Sequence, residues 1–118
     1  MKNEIQKIDT TILETLKDHF ETVTFNNEFD LVYEKQIPNT GIILISGELN
    51  LLKRKKIIEL KIPGISLGIK NILDNIPFRF NCRVKKDTEL ILISKSELIR
   101  ILNEKNSPLY SVCTQLGA

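Results

Sequence analysis

"GIILISGELNLLK", Gly41 to Lys53, decides how the chain is read. The run "IILIS" ends at Gly47, and "ELNLLK" then ends at the basic cluster "RKK". Short apolar runs bounded by turn residues read as strands. The same rhythm continues outward on both sides. "LVYEKQ" ends at "PNTG", "IIELKI" at Pro63-Gly64 and "FRFNCRVK" at Lys86-Asp87, and "ELILIS" closes the set. Upstream, Val23 and Phe25 alternate with Thr22 and Thr24, and "NNEFD" supplies a turn. Turns at this spacing, with no long helical pattern between them, indicate an all-β sandwich or barrel.

Helices flank the strands. Ile5, Ile8, Ile12, Leu16 and Phe20 recur at three- and four-residue intervals, which predicts an N-terminal helix capped at Asp9 or Thr10. Ser94 or Ser96 opens "ELIRILNEK", with Leu98, Ile101 and Leu102 on one face. Ser107 is the expected N-cap of a last helix, with Pro108 at its first position and Gly117 at its end. The fold class expected is mainly β with flanking helices, a single domain over 1–118. An N-terminal helix lies within 1–20, the β portion within 21–94 and C-terminal helices within 95–118.

Composition narrows the function classes. The chain has 118 residues, 42% hydrophobic and 27% charged, enough for a real core. A net charge of +2 is too mild to argue for nucleic acid. The apolar runs are too short to span a membrane, and "MKNEIQKIDTT" lacks the apolar middle of a secretory signal. A cytoplasmic location is therefore expected, with Cys82 and Cys113 as free thiols. With His19 as the one histidine and no Cys-x-x-Cys, no metal site and no cofactor are expected.

Chemistry is concentrated in "GISLGIKNILDNIPFRFNCRV", Gly64 to Val84. A glycine-punctuated loop runs into a helical turn at Asn71–Leu73 and then into a strand with an early arginine, Arg79. That is the layout of a pocket for a small phosphate ester. Free N–H groups at the start of a short helix favour an anion, and an Arg adds charge-assisted hydrogen bonds.

The order of elements resembles the cyclic-nucleotide-binding domain, the jelly-roll-like β-roll of catabolite-activator-type regulators, kinase regulatory subunits and gated channels. "FDLVYEKQIPNTGIILISG" is similar to the family's lead-in, "ISGELNLL" to its strand–Ser-Gly–strand hairpin, and "DTELILISKSELIRIL" to its last strand and first C-terminal helix. The resemblance places the family's phosphate-binding cassette, a Gly-Glu pair, a one-turn helix and an Arg, on Gly68, Ile69, Lys70, Asn71, Phe78, Arg79, Phe80 and Asn81.

Two departures follow. Ile69 stands where the family's ribose-binding Glu belongs, and an alkyl group accepts no hydrogen bond. Counting from Gly68 puts Arg79 at the Arg position, but the alternation puts Phe78, Phe80, Cys82 and Val84 on the apolar face. A one-residue slip exchanges the faces of a strand. We weigh the alternation above the count, so Arg79 is expected to face solvent and Phe78 to take the inward place. A hydrogen bond to a charged group contributes roughly 1.5–3 kcal/mol. Losing two weakens binding by about 3–6 kcal/mol, on the order of 10²–10⁴-fold.

The expectation is a stand-alone regulatory or adaptor module that has lost ordinary cAMP or cGMP binding and acts through protein contact. The apolar stripe of the last helix, Leu109, Val112, Cys113 and Leu116, with Tyr110 beside it, is the expected surface for a partner or a second copy. Its rival is packing back on its own β-roll. The alternative function is a small-ligand sensor in which Lys70, Asn71, Arg79 or Asn81 holds another anion. "KRKK", Lys53 to Lys56, reads as a solvated hairpin tip or as a contact for an acidic partner. An enzyme is not expected, because the metal-dependent oxygenases and isomerases of this architecture need several inward His and carboxylate ligands. No helix-turn-helix follows, so a DNA-binding regulator is not expected either.

Overall fold

Alternation along the two longest strands creates two cores on opposite faces of one sheet. The structure, a computed structural model, describes residues 5–116. Its elements in order are β1 (Ile5–Lys7), α1 (Thr10–His19), β2 (Val23–Phe25), β3 (Phe29–Val32), β4 (Thr40–Ser46), β5 (Leu49–Lys53) and β6 (Lys56–Leu60). There follow β7 (Ile65–Leu67), α2 (Ile69–Asp74), β8 (Asn81–Val84), β9 (Thr88–Ser94), α3 (Lys95–Leu102) and α4 (Pro108–Leu116). One antiparallel sheet has the order β1-β7-β4-β9-β2 and the other β3-β8-β5-β6.

Central β4 and β9 pair in register from Thr40↔Ser94 to Leu44↔Leu90. Ile42, Leu44 and Leu90 point between the sheets, joining Leu49, Leu51, Leu67, Phe78, Cys82 and Val84 in the interior of the roll. Ile43, Ile91 and Ile93 point the other way and meet Leu16, Leu98, Ile101, Leu109 and Val112 under the helices. Successive strand residues face opposite sides, so a strand buried on both faces must be apolar throughout. "IILI" and "LILI" have that composition.

Several expectations are corrected. The N-terminal segment is not one helix, because Ile5–Lys7 pairs with β7 as an edge strand and α1 begins only after Asp9. The Asp9 carboxylate accepts from the Ile12 N–H at 2.9 Å, which caps it. Phe29 and Asp30, read as a turn, belong to β3, whereas Tyr33–Gln36 leaves the sheet with Lys35 at φ 75°. β8 starts at Asn81, three residues later than Phe78. Ile65–Leu67, read as loop, is a buried strand between β1 and β4. Ser94 caps α3 by accepting from the Glu97 N–H at 3.1 Å, and Ser107 accepts from the Leu109 N–H at 3.1 Å at the start of α4. The expected stop at Gly117 and the residues before Ile5 lie outside the described residues.

The Ser-Gly turn is tightly fitted. Gly47 has φ 97°, and a Cβ there would lie 2.5 Å from Thr88 Oγ1. Thr88 is fully buried; its Oγ1 accepts from the Glu48 N–H at 3.0 Å and donates to the Glu48 carbonyl at 3.1 Å. The glycine lets the backbone come close enough for that exchange.

Candidate functional site

The cassette segment is built on β7, α2 and the approach to β8. Gly68 caps α2 with φ 87°, and a Cβ on it would approach the Thr40 carbonyl at 3.3 Å. The glycine therefore serves backbone geometry, setting the end of β7 against the Pro38–Gly41 loop. The one-turn helix expected after it is present and extends to Asp74.

Its side chains are committed to the fold. Ile69 is 1% exposed and belongs to the core beneath the helices, not to the roll interior. A Cβ on Gly41 would lie 2.5 Å from Ile69 Cγ1, so the two residues are fitted to each other. Lys70 forms an ion pair with Asp74 one turn on, at 2.9 Å. Asn71 is buried and donates from Nδ2 to the carbonyls of Ile76 and Pro77, at 3.1 and 3.2 Å, folding the loop after α2 back onto the helix. Asn81 accepts from the Glu34 N–H at 2.8 Å, which ties β8 to the end of β3.

Phe78 and Arg79 divide as the alternation predicts, although the strand proper begins after them. Phe78 donates its N–H to Gln36 O and accepts at its carbonyl from the Lys35 N–H, both at 2.8 Å. Pinned on both sides, its ring lies in the roll interior, 2% exposed. Phe80 meets it edge-on, with centroids 6.2 Å apart. Arg79 is exposed, and its guanidinium lies 5.9 Å from the Phe80 ring centroid, the two residues lining one hollow. Cys82 is fully buried in the same interior, and burial pushes its thiol up to about 12. Of the eight cassette residues, Arg79 and Phe80 line one hollow, whereas Asn71 and Asn81 are engaged with backbone groups and Ile69 and Phe78 lie in the two cores.

The last helix is covered by its own chain. Leu109, Val112, Cys113 and Leu116 are all buried in the core with Leu16 of α1 and Leu98 and Ile101 of α3. Burial raises the Cys113 thiol to about 11. Tyr110 alone of that candidate set is half-exposed. His19 ends α1 with Nδ1 2.9 Å from the Thr15 carbonyl, away from the cassette. Among the described residues no group of His, Cys, Asp and Glu side chains is placed to hold a metal ion, and no helix is long and apolar enough to cross a membrane.

Two of the hollows among the described residues border the segments around the cassette. One, of about 250 Å³, is lined by uncharged residues including Leu31, Gln36, Pro38, Thr40 and Leu92. The other, of about 720 Å³, lies between the Lys53–Lys56 turn and the Arg79–Phe80 segment. The link between those two stretches could not be drawn from the sequence. It depends on the β5–β8 register, in which Leu52 faces Asn81.

No protein-family model and no curated protein matches the chain. Solved structures do match, and they define the class. A protein of a cyclic-GMP-dependent signalling pathway that regulates bacterial phytopathogenesis superposes with a TM-score of 0.70 at 13% identity, over 92% of this chain and 90% of that one. A cyclic nucleotide-binding domain from Methylobacillus flagellatus KT gives 0.66 at 18% identity, over 98% and 68%. The catabolite activator protein of Thermus thermophilus gives 0.61 at 12% identity, over 92% of this chain and 51% of its own, so the chain spans about half of that protein. The architecture is that of a cyclic-nucleotide-binding domain. At these identities, what is shared is the fold.

Proposed function

We propose that the chain is a cyclic-nucleotide-binding-like regulatory or adaptor module that does not hold cAMP or cGMP in the ordinary way and acts through protein contact. One observation carries this reading: Phe78, not Arg79, is buried in the roll interior, 2% exposed, while Arg79 is exposed beside Phe80. A phosphate in the roll would meet an aromatic ring where the family places a guanidinium. Ile69 supports the same reading, since a branched alkyl group buried under the helices offers a ribose hydroxyl no acceptor. Removing both contacts weakens binding by roughly 10²–10⁴-fold.

Protein contact is the use this reading favours, because Phe78 and its apolar neighbours occupy the place between the sheets. The neighbours named as nucleotide-binding or activator proteins support a regulatory role over catalysis. Tyr110 is the part of the C-terminal helix set still open to a partner or a second copy. Isothermal calorimetry with cAMP and cGMP up to millimolar concentration tests the proposal. The expected result is no saturable heat in the micromolar range, and a micromolar isotherm with either nucleotide overturns it.

A further inference from the structure

One flank of the roll leaves the core between the sheets open. Leu90 and Leu92 share the inward face of β9, opposite Leu44 and Ile42 of β4. Leu90 is fully buried, whereas Leu92 is only half-buried. Leu31 of β3 is half-buried in the same way and packs against the same cluster. Both leucines border the hollow of about 250 Å³, which is also lined by the buried Val32, Pro38 and Ile42. A gap of that size in apolar surface is ordinarily closed by neighbouring side chains, because protein interiors pack as densely as organic crystals.

Here the chain beside the gap is held in place. The Gln36 carbonyl accepts from the Phe78 N–H and the Asn39 carbonyl from the Lys95 N–H, both at 2.8 Å. Pro38, buried between those anchors, has a fixed φ that stiffens the loop further. The segment from Gln36 to Thr40 is therefore a fixed rim, and a preformed site costs a ligand little ordering. The lining also selects the occupant. Among the described residues that line the hollow, none is charged. The side chains of Gln36, Asn39 and Thr40 have no hydrogen-bond partner among the described residues, so the rim offers amide and hydroxyl groups. An ion entering such a site loses water and gains no counter-charge, which disfavours it strongly. At a water molecule's share of liquid volume, the hollow holds roughly eight non-hydrogen atoms.

We propose that this hollow binds a compact neutral molecule with an apolar body and an amide or hydroxyl edge. The body lies against Leu31, Ile42 and Leu92, and the edge bonds to Gln36, Asn39 and Thr40. None of the eight cassette residues lines this hollow, and the site goes beyond the protein-contact reading by giving the module a ligand of its own. The rim is hydrogen-bonded to Phe78, on the approach to β8, and to Lys95, the first residue of α3, so occupancy bears on both segments.

The test titrates benzamide, a flat apolar ring with one neutral amide, into the isotope-labelled full chain and follows amide chemical shifts. Saturable shifts in the millimolar range are expected at Gln36, Asn39, Thr40 and Leu92, with Phe78 and Lys95 following the same curve. Benzoate, of the same shape but charged, is expected to bind about tenfold more weakly or worse. Leu92→Phe adds bulk to the hollow and is expected to abolish the response. Gln36→Ala removes one amide from an exposed position and is expected to weaken binding several-fold with the melting temperature unchanged. Absence of saturating shifts at these amides through the millimolar range overturns the proposal, as does benzoate binding as tightly as benzamide. A folded variant of either kind that binds benzamide as the parent does also overturns it. Calorimetry with cAMP reports on the other claim: a micromolar isotherm defeats the nucleotide-loss reading and leaves this site standing.

Discussion

Phe78→Ala compared with Arg79→Ala tests the face assignment on which the functional reading depends. Phe78 is 2% exposed and belongs to the cluster between the sheets. Truncating a buried Phe removes its transfer free energy and leaves a cavity, at a cost of about 3–5 kcal/mol. In a domain of 118 residues this corresponds to a fall in melting temperature of roughly 10–20 °C. Arg79 is exposed, and its contact over the Phe80 ring is worth about 0.5–1 kcal/mol. Urea unfolding followed by circular dichroism measures both variants, since the chain has no Trp to serve as a fluorescent probe. The expected outcome is a much lower midpoint for Phe78→Ala with its denaturant slope unchanged, and a midpoint near the parent's for Arg79→Ala. The reasoning fails if Phe78→Ala costs less than about 1 kcal/mol, or if Arg79→Ala is the more damaging change.

Ile69→Glu restores the residue type that ribose recognition uses, but at a position within the core beneath the helices. It is expected to cost about 3 kcal/mol or more, as an unpaired buried charge does, and to create no cAMP affinity. Stable protein with new cAMP heat in calorimetry contradicts this. Gly47→Ala adds a Cβ 2.5 Å from Thr88 Oγ1 at φ 97° and is expected to cost roughly 2–4 kcal/mol in urea unfolding; a neutral result contradicts the close fit. Cys82 and Cys113 have thiols raised to about 12 and about 11, so at pH 8 almost no thiolate exists in the folded chain. Neither is expected to react with a disulfide reagent until the protein unfolds. The linked effect on stability is an advantage present below pH about 9 and lost as pH rises toward those folded values, because the unfolded thiols then ionise first.

Long-range architecture was legible where patterning was strong. The β4 and β9 runs announce strands, though not that both their faces are buried, and the Ser94 and Ser107 caps mark the last two helices. Short edges were not. Ile5 and Ile8 fit a helical period by coincidence, and the pairing of β1 with β7 overrides it. β7 has three residues between glycines and so carries no period of its own. At the candidate site, the inward side of Phe78 was legible from alternation. Its cause was not, because the bonds to Lys35 and Gln36 join segments far apart in sequence. Ile69 was recognised as a missing acceptor, but its membership of the outer core required the sheet stacking. The burial of Leu109, Val112, Cys113 and Leu116 was one of two outcomes that a helical stripe allows, and only the position of α1 and α3 decides between them.

Amide chemical shifts recorded while cAMP is added to the folded chain test the central claim most directly. With Phe78 buried between the sheets and Arg79 exposed, shifts at Gly68, Ile69, Asn71 and Arg79 are expected to stay linear or absent through the micromolar range. Saturating shifts at those four amides, with a micromolar midpoint, would contradict the account.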